Sequence, residues 1–242
     1  MSKFRRQEGL FLAEGFKVVQ ELLQSSWKIH AILVMEEKQQ WRELLTKIPQ
    51  EVAIYRLTAS QWKRLSQDKT PEGIMAVVSS PRPQNIDEII DNSTGNLLLL
   101  HRIGNPNNLG SLMRTARWFG FSALILSAGS VDIANPKVVR VSMGSLFHLD
   151  VMENVSFEEL LPLIRGRFYL IGSHVRAGRR PHFCNRRTAI LLGSESHGLP
   201  ETLLSMVDEQ WFIPGMAGAD SLSLASAAAI MMYACTRSFS ER

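Results

Sequence analysis

The pattern of apolar and polar positions is clearest between Leu97 and Gly120, where a buried strand, a polar turn and an amphipathic helix follow one another. Four consecutive leucines at 97–100 are typical of a central strand of a parallel sheet, which is apolar on both faces. The turn residues of 104–107 come next. A helix is predicted to open at Asn108, with apolar residues at helical spacing, namely Leu112, Met113, Ala116 and Phe119. Asn108 and Arg114 therefore lie near the carboxyl end of the strand, where open α/β folds place ligands.

The remaining patterns predict two domains joined by a linker. Residues 1–80 combine an apolar helix face at Phe16–Leu23 with short strand patterns, which indicates a small α/β domain. Residues 81–94 are predicted to be a linker because they begin in a proline-containing stretch. Residues 95–242 alternate strands and helices, which favours an α/β fold with a mostly parallel sheet. The segments that carry this alternation are 97–100, 114–119, 123–127, 137–143, 168–172, 189–193 and 210–213.

The segment Ser221–Arg237 is predicted to be a helix because it is rich in alanine and methionine. It is uncharged from Ser221 through Thr236, and a helix that is apolar nearly all round must be buried. Its small residues allow a second helix to approach closely. Burial against a second copy of the chain and burial within one subunit both remain open.

Composition narrows the class of protein. With 242 residues, 45% of them apolar and 21% charged, the chain is expected to be an ordinary soluble globular protein. It has no apolar run of about 18 residues and no apolar signal region at its start, so we expect a cytoplasmic protein without a membrane segment. Cys184 and Cys235 are too few and too isolated for a disulfide framework or a metal knuckle, so no metal is expected.

Positive charge is concentrated in one segment. The net charge is +4, but residues 165–187 contain seven arginines and no acidic residue. This run is either a solvated loop or a surface that faces phosphate groups, because guanidinium groups suit bidentate phosphate contacts.

Three loops could carry chemistry. No GxGxxG, GxxxxGK[ST] or GxSxG pattern and no zinc-ligand spacing occurs. Instead, Asn108 and Arg114 follow one strand, Glu195 lies in the turn LGSESHG after another, and the glycine-rich stretch 213–222 follows a third. Each loop places small residues and main-chain amides at a strand end. We expect the three loops to build one pocket.

Taken together, these motifs resemble the SpoU (TrmH-type) family of RNA ribose 2′-O-methyltransferases, within the trefoil-knotted methyltransferase superfamily. The family's first motif, Asp-Pro-x-Asn-x-Gly-x3-Arg-Thr-Ala, is similar to NPNNLGSLMRTA, and its second, Leu-Gly-x-Glu-x-x-Gly, to LGSESHG. Its third motif, Ile-Pro followed by Ser-Leu-Asn before a helix, is similar to IPGMAGADSLS. EGLFLAEGFKVVQELL and TPEGIMAVV resemble the family's small RNA-binding domain, so the resemblance covers nearly the whole chain.

The resemblance implies properties that general rules would not predict. It implies a deep trefoil knot in the carboxyl-terminal domain, a rare exception to unthreaded topology. It also implies that S-adenosylmethionine binds in the knot in a bent form and that the protein works as a homodimer. By motif position, the cofactor-binding residues would be Gly193, Ile213, Leu222 and Ser223. The family's functional polar residues would be Asn108, Arg114, Glu195 and Ser221.

The chemistry suggests a role for each polar residue. The family comparison nominates Arg114 for activating the ribose hydroxyl, but a guanidinium is a poor proton acceptor. A substrate phosphate could accept the proton while Arg114 positions it and stabilises the alkoxide. Asn108 either orients Arg114 or caps the helix, and Glu195 either pairs with an arginine or is an exposed turn acid. Ser221 is expected to be the N-cap of the last helix.

The expected activity is methyl transfer from S-adenosylmethionine to a ribose 2′-hydroxyl of structured RNA, with rRNA favoured over tRNA. Three features depart from the family pattern: Ser223 replaces an asparagine, Asn105 replaces an aspartate, and His101 and Arg102 replace the small or acidic residues often found at that strand end. These departures keep open an RNA-binding or assembly protein with weakened catalysis. A third alternative is an α/β enzyme that acts on a small molecule.

Overall fold

The computed structural model describes residue 5 and residues 7–80, 85–216 and 221–236. The chain divides into two compact units. The first contains the described residues of 1–82 and 132–148, and the second contains those of 83–131 and 149–242. The sequence analysis had placed 132–148 inside the domain 95–242, and no local pattern indicated its grouping with the first unit.

The first unit is built on a four-stranded mixed sheet. Its strand order is β1-β4-β2-β3, with β4 antiparallel to both of its neighbours and β2 parallel to β3. The four strands are β1 (Leu10–Glu14), β2 (Ile29–Met35), β3 (Ala53–Leu57) and β4 (Ile74–Ser79). The predicted small α/β domain is therefore present, with β1 as a strand that the sequence pattern did not indicate.

The described helices are α1 (Phe16–Leu22), α2 (Ala59–Leu65), α3 (Ile86–Asn92), α4 (Pro106–Trp118), α5 (Pro136–Val141), α6 (Phe157–Ile164), α7 (Glu201–Leu204) and α8 (Leu224–Cys235). Two 3-10 helices cover Gln40–Lys47 and Ser145–His148. No described helix is both long enough and apolar enough to span a membrane.

Residues 132–148 are tied to the first unit by charged contacts and by packing. Asp132 pairs with Arg5 at 2.9 Å, and His148 lies 2.9 Å from the buried carboxylate of Glu21. Helix α5 packs against β1. Such contacts join residues more than a hundred positions apart, which is why a local sequence pattern does not reveal them.

Part of the predicted linker is helical. The linker prediction is wrong for the residues that form α3. This helix begins after Asn85, and the Asn85 side chain accepts a hydrogen bond from the amide of Asp87 at 3.1 Å. Ile89 and Ile90 of α3 are buried in the core of the second unit. Burial of these side chains stabilises the helix. The prolines that suggested the linker, Pro81 and Pro83, lie outside the described residues.

The second unit is built on a six-stranded, entirely parallel sheet, which confirms the predicted architecture. Its strand order is β10-β8-β9-β5-β6-β7. The strands are β5 (Asn96–Leu100), β6 (Phe121–Ser127), β7 (Asp150–Val155), β8 (Tyr169–Ser173), β9 (Thr188–Leu192) and β10 (Glu209–Trp211). All four leucines of 97–100 are fully buried. The chain builds the sheet outward through β6 and β7 and then returns to the other side of β5, so the order reverses between β5 and β9.

Strand β10 lies between β8 and the connection that joins β8 to β9. On one side it pairs with β8. On the other side the amide of Arg179 donates to the carbonyl of Gln210, and the amide of Phe212 donates to the carbonyl of Arg179, both at 2.8 Å. A Cβ at Gly178 would lie 2.4 Å from the Gln210 oxygen, so only glycine allows this approach. Residues 174–187 therefore form a loop that borders β10 at Arg179, which we call the β8–β9 loop.

The final helix, α8, packs against α4 and β9. The sequence analysis expected Ser221 to be its N-cap, and this is wrong. Ser223 is the N-cap, because its hydroxyl accepts a hydrogen bond from the amide of Ser226 at 3.2 Å. One face of α8 is buried, whereas Ile230 and Tyr233 are 41% and 54% exposed. The predicted end at Arg237 lies outside the described residues.

Candidate functional site

Two of the three candidate loops leave the sheet side by side. Leu100, the last residue of β5, is the register partner of Leu192, the last residue of β9. The next amide, that of His101, donates to the carbonyl of Leu192 at 2.8 Å. The loops that follow β5 and β9 therefore begin as neighbours at the carboxyl edge of the sheet. This edge includes the point where strand order reverses, which is the usual ligand position in such folds.

The loop after β5 is held by a hydrogen bond to Ser127, the last residue of β6. The amide of Arg102 donates to the hydroxyl of Ser127 at 2.9 Å, and Arg102 itself adopts a left-handed conformation with φ of 52°. Helix α4 begins at Pro106, two residues before the predicted start. Asn105 is its N-cap, because its side chain accepts from the amide of Asn107 at 2.9 Å. The alternative of Asn108 as a helix cap is therefore wrong.

Asn108 and Arg114 differ in environment. The side-chain nitrogen Nδ2 of Asn108 is buried and has no hydrogen-bond partner among the described residues, whereas Arg114 is exposed. No hydrogen bond joins the two side chains in the described structure, so it gives no support to Asn108 as the residue that orients Arg114. A buried, unpaired amide donor is costly, and its presence at this edge is expected where a ligand supplies the acceptor.

The loop after β9 forms a tight turn around Gly193. The amide of Gly198 donates to the carbonyl of Ser194 at 2.9 Å, which closes the turn. A Cβ at Gly193 would lie 2.0 Å from the carbonyl carbon of Gly198, so no other residue fits without movement of the backbone. Glu195, at the tip, is exposed and forms no ion pair with any described residue. It is therefore placed as an exposed turn acid, the second of the two predicted alternatives.

The loop after β10 is described in two parts. Ile213 is half-buried just beyond the strand, and Ser221, Leu222 and Ser223 are exposed immediately before α8. Between them, residues 217–220, which include Gly218 of the predicted glycine-rich loop, lie outside the described residues. β10 is separated from β9 by β8, but α8 returns to β9 and α4.

A cavity of about 420 Å³ lies where α4 meets α8, and Arg114 contributes to its wall. The other residues that line it are Ser111, Thr115, Trp118, Phe119 and Ala229. Trp118 is 81% exposed, although it is a large aromatic residue. This exposed aromatic face was not predicted from the sequence. The position of Trp118 outside the apolar stripe of 112, 113, 116 and 119 could have indicated it.

The arginines of 165–187 separate into two groups. Five of the seven have partners within the second unit: Arg165 with Asp208, Arg167 with Asp91, Arg179 with Glu209, Arg186 over the ring of Tyr169, and Arg187 with the carbonyls of Ile90 and Ser93. Arg176 and Arg180 are exposed and have no partner among the described residues. The phosphate-facing alternative therefore applies best to Arg176 and Arg180.

His101, at the end of β5, has a lowered pKa. Burial, together with the neighbouring Arg102 guanidinium, lowers the pKa of His101 below its ordinary value of 6.5. The imidazole is therefore neutral at pH 7, and its Nδ1 atom is buried without a hydrogen-bond partner in the described structure. Across the described residues, no group of three or more His, Cys, Asp or Glu side chains could hold a metal ion.

Comparison with known families gives two matches that together span most of the chain. Residues 95–233 match the model of the SpoU rRNA Methylase family. Residues 1–76 match the MRM3-like substrate binding domain. The predicted linker 81–94 lies between the two matched ranges.

Individual relatives cover nearly the full length of the chain. It is 29% identical over 237 residues to the Bacillus subtilis 23S rRNA (guanosine(2553)-2'-O)-methyltransferase RlmP, with 96% of this chain and 90% of that protein covered. It is 28% identical to the Streptomyces viridochromogenes 23S rRNA (uridine(2479)-2'-O)-methyltransferase, with 96% and 82% covered. The crystal structure of the SpoU methyltransferase AviRb from the latter organism, in complex with AdoMet, superimposes with a TM-score of 0.84 at 26% identity and covers 98% of this chain and 93% of AviRb.

Proposed function

The chain belongs to the SpoU rRNA Methylase family, and we propose that it transfers a methyl group from S-adenosylmethionine to a ribose 2′-hydroxyl of ribosomal RNA. The observation that carries this proposal is the adjacency of the first two family motifs, which leave β5 and β9 at paired positions of one parallel sheet. Relatives named as 23S rRNA 2'-O-methyltransferases and the substrate-binding-domain match favour rRNA over tRNA.

The residues at the sheet edge fit a cofactor that is held largely by main-chain atoms. Gly193, whose missing Cβ lets the turn fold tightly, and Ile213, half-buried beside β10, would form one part of the site. Leu222 and Ser223 would contribute from the segment before α8. The unpaired Nδ2 of Asn108 and the unpaired Nδ1 of His101 offer a donor and a second polar atom at the same edge. The cofactor supplies an electrophilic methyl group on a sulfonium.

Arg114 is proposed to position the RNA rather than to act as a base. Guanidinium groups are poor proton acceptors, and in the structure Arg114 is exposed at the wall of the cavity between α4 and α8. A fixed cation there holds a substrate phosphate and stabilises negative charge on the ribose oxygen as its proton leaves. The phosphate, not Arg114, then accepts the proton. Glu195 and Ser221 are both exposed. They are proposed to form contacts once RNA or cofactor has bound.

We also propose that the chain is knotted and that it forms a homodimer. Support for the knot comes from β10, a later strand that lies between β8 and residues 178–180 of the earlier β8–β9 loop. Support for the dimer comes from the exposed apolar face of α4 and α8, formed by Trp118, Ile230 and Tyr233. Contiguous exposed apolar residues of this kind mark interaction sites. Cytoplasmic location stays a prediction.

The test is transfer of labelled methyl groups from S-adenosylmethionine to rRNA lacking the modification, with the modified position mapped by mass spectrometry. Arg114→Ala should reduce methyl transfer by at least about 100-fold while the calorimetric Kd for S-adenosylmethionine changes little. Arg167→Ala, which removes an equally exposed arginine paired with Asp91, is the matched control. Normal turnover by Arg114→Ala would refute its role. RNA binding without methyl transfer by the wild-type protein would instead support the assembly-protein alternative.

A further inference from the structure

The two cysteines of the chain are neighbours in the second unit, although the sequence separates them widely. Cys184 lies in the β8–β9 loop and Cys235 is the last residue of α8. The amide of Cys184 donates to the carbonyl of Cys235 at 3.4 Å, and the Cys184 thiol donates to the carbonyl of His182 at 3.7 Å. Both are free thiols. The chain contains no other cysteine.

The backbone geometry suits a disulfide. The main-chain hydrogen bond keeps the two residues adjacent, and disulfides join residues whose Cα atoms lie about 4.4–6.8 Å apart. The two thiols are close enough for each to shift the pKa of the other. The adjacency of the backbones therefore favours a disulfide between them.

The two thiols differ in reactivity. The pKa of Cys184 is lowered to about 7, chiefly by side-chain interaction with Cys235 and also by Thr188 and His182, while burial and Glu209 act in the opposite direction. The same interaction, together with burial, raises the pKa of Cys235. Cys184 is half-buried, whereas Cys235 is only 2% exposed. Cys184 therefore has the properties of an attacking thiolate, and Cys235 those of a protected partner.

We propose that Cys184 and Cys235 are an oxidation site at which a hydroperoxide forms a reversible disulfide between the β8–β9 loop and α8. The Cys184 thiolate attacks one peroxide oxygen, the O–O bond breaks, and a sulfenic acid and water (or an alcohol) are released. The sulfur of Cys235 then attacks the sulfenic sulfur. Its proton and the departing hydroxyl leave as a second water. The two thiols lose two electrons in total, and the peroxide gains them. A thiol reductant reverses the reaction by exchange.

The disulfide would close the β8–β9 loop onto α8. This loop borders β10 at Arg179. The bond would therefore tie the last residue of α8 to the loop segment that lies beside β10. Cross-links that close long loops stabilise proteins chiefly by restricting the unfolded chain. For a chain of this size, the expected rise in Tm is on the order of 5–10 °C.

The experiment treats the full-length, reduced protein with one equivalent of hydrogen peroxide at pH 7. Free thiols should fall from two to none, the intact mass should drop by two hydrogens, and a non-reducing digest should contain a peptide pair that links Cys184 to Cys235. The Tm should rise and should return to its starting value with dithiothreitol. A gain of oxygen mass without the linked peptides, disulfides only between separate chains, or unchanged thiols would each overturn the proposal.

Single variants separate the two roles. In Cys235→Ser, Cys184 should stop at the sulfenic acid and be trapped by dimedone. In Cys184→Ser, the buried Cys235 should stay reduced. Should Cys235→Ser fail to fold, the Cys184→Ser variant and the wild-type digest still decide the question. Rapid oxidation of Cys235 in the absence of Cys184 would contradict the assigned order of attack. None of these readouts depends on methyl transfer, so they stand apart from the proposed function.

Discussion

Replacement of Gly193 by alanine tests whether the turn after β9 is shaped by close backbone approach. An added Cβ would lie 2.0 Å from the carbonyl carbon of Gly198, 2.1 Å from its oxygen and 2.4 Å from the amide nitrogen of Leu199. All three atoms belong to the backbone, so no side-chain rotation can relieve the overlap. The turn itself has to open.

The magnitude follows from what opening would disrupt. Overpacking in a close-packed site costs about 1–3 kcal/mol. Opening the turn also weakens the hydrogen bond from the amide of Gly198 to the carbonyl of Ser194, which is worth about 1 kcal/mol. The total is about 2–4 kcal/mol, and at about 2–4 °C per kcal/mol for a chain of this length Tm should fall by roughly 5–15 °C.

The assay is thermal unfolding by calorimetry, followed by titration with S-adenosylmethionine. Gly193→Ala should lower Tm and weaken cofactor binding by at least about tenfold. Gly215→Ala is the control for Tm, because an added Cβ there has no atom within 4 Å. A Gly193→Ala protein with unchanged Tm and unchanged cofactor affinity would refute the steric argument and the placement of this turn in the cofactor site.

Three further predictions concern RNA binding, titration and assembly. Arg176→Ala should weaken RNA binding in fluorescence anisotropy and reduce the slope of log K against log salt by roughly 1, whereas the acid-paired Arg167→Ala should leave that slope unchanged. Because the pKa of His101 lies below 6.5 in the folded chain, the unfolded chain binds more protons, so Tm should fall as pH drops through about 6.5. His101→Gln should flatten that decline, and an identical pH profile would contradict the cause given. Trp118→Asp should give a monomer in light scattering, unlike Leu163→Asp, which alters another exposed apolar residue; a monomeric wild type would rule out the dimer.

Local patterns account for the features that could be predicted. The four leucines of 97–100 indicated a central parallel strand because both of its faces are buried, and the structure places β5 between β9 and β6. The loops after β5 and β9 could be placed at one edge because parallel strands end on the same side. Helix starts were less accurate. The caps considered from the sequence, Asn108 and Ser221, are replaced in the structure by Asn105 and Ser223, nearby polar residues that serve equally well.

Contacts between distant residues account for the features that could not be predicted. The grouping of residues 132–148 with the first unit depends on pairs such as Arg5 with Asp132. The contact between β10 and the β8–β9 loop depends on main-chain hydrogen bonds of Arg179 with Gln210 and Phe212. Neither leaves a periodic signature in the sequence, because an ion pair or a single main-chain bridge can form between segments of any pattern. The proximity of Cys184 and Cys235 is of the same kind.

The departure at Ser223 has a structural explanation that bears on activity. The family pattern has asparagine at this position, and here the serine hydroxyl caps α8 by accepting from the amide of Ser226. Serine and asparagine are nearly equal as helix caps, so the substitution preserves the start of the helix that packs on β9 and α4. What it removes is the second polar atom of the carboxamide, which could donate while the oxygen accepts. We therefore expect the change to affect contacts to RNA or cofactor and not the fold, which separates the stability of α8 from any effect on methyl transfer.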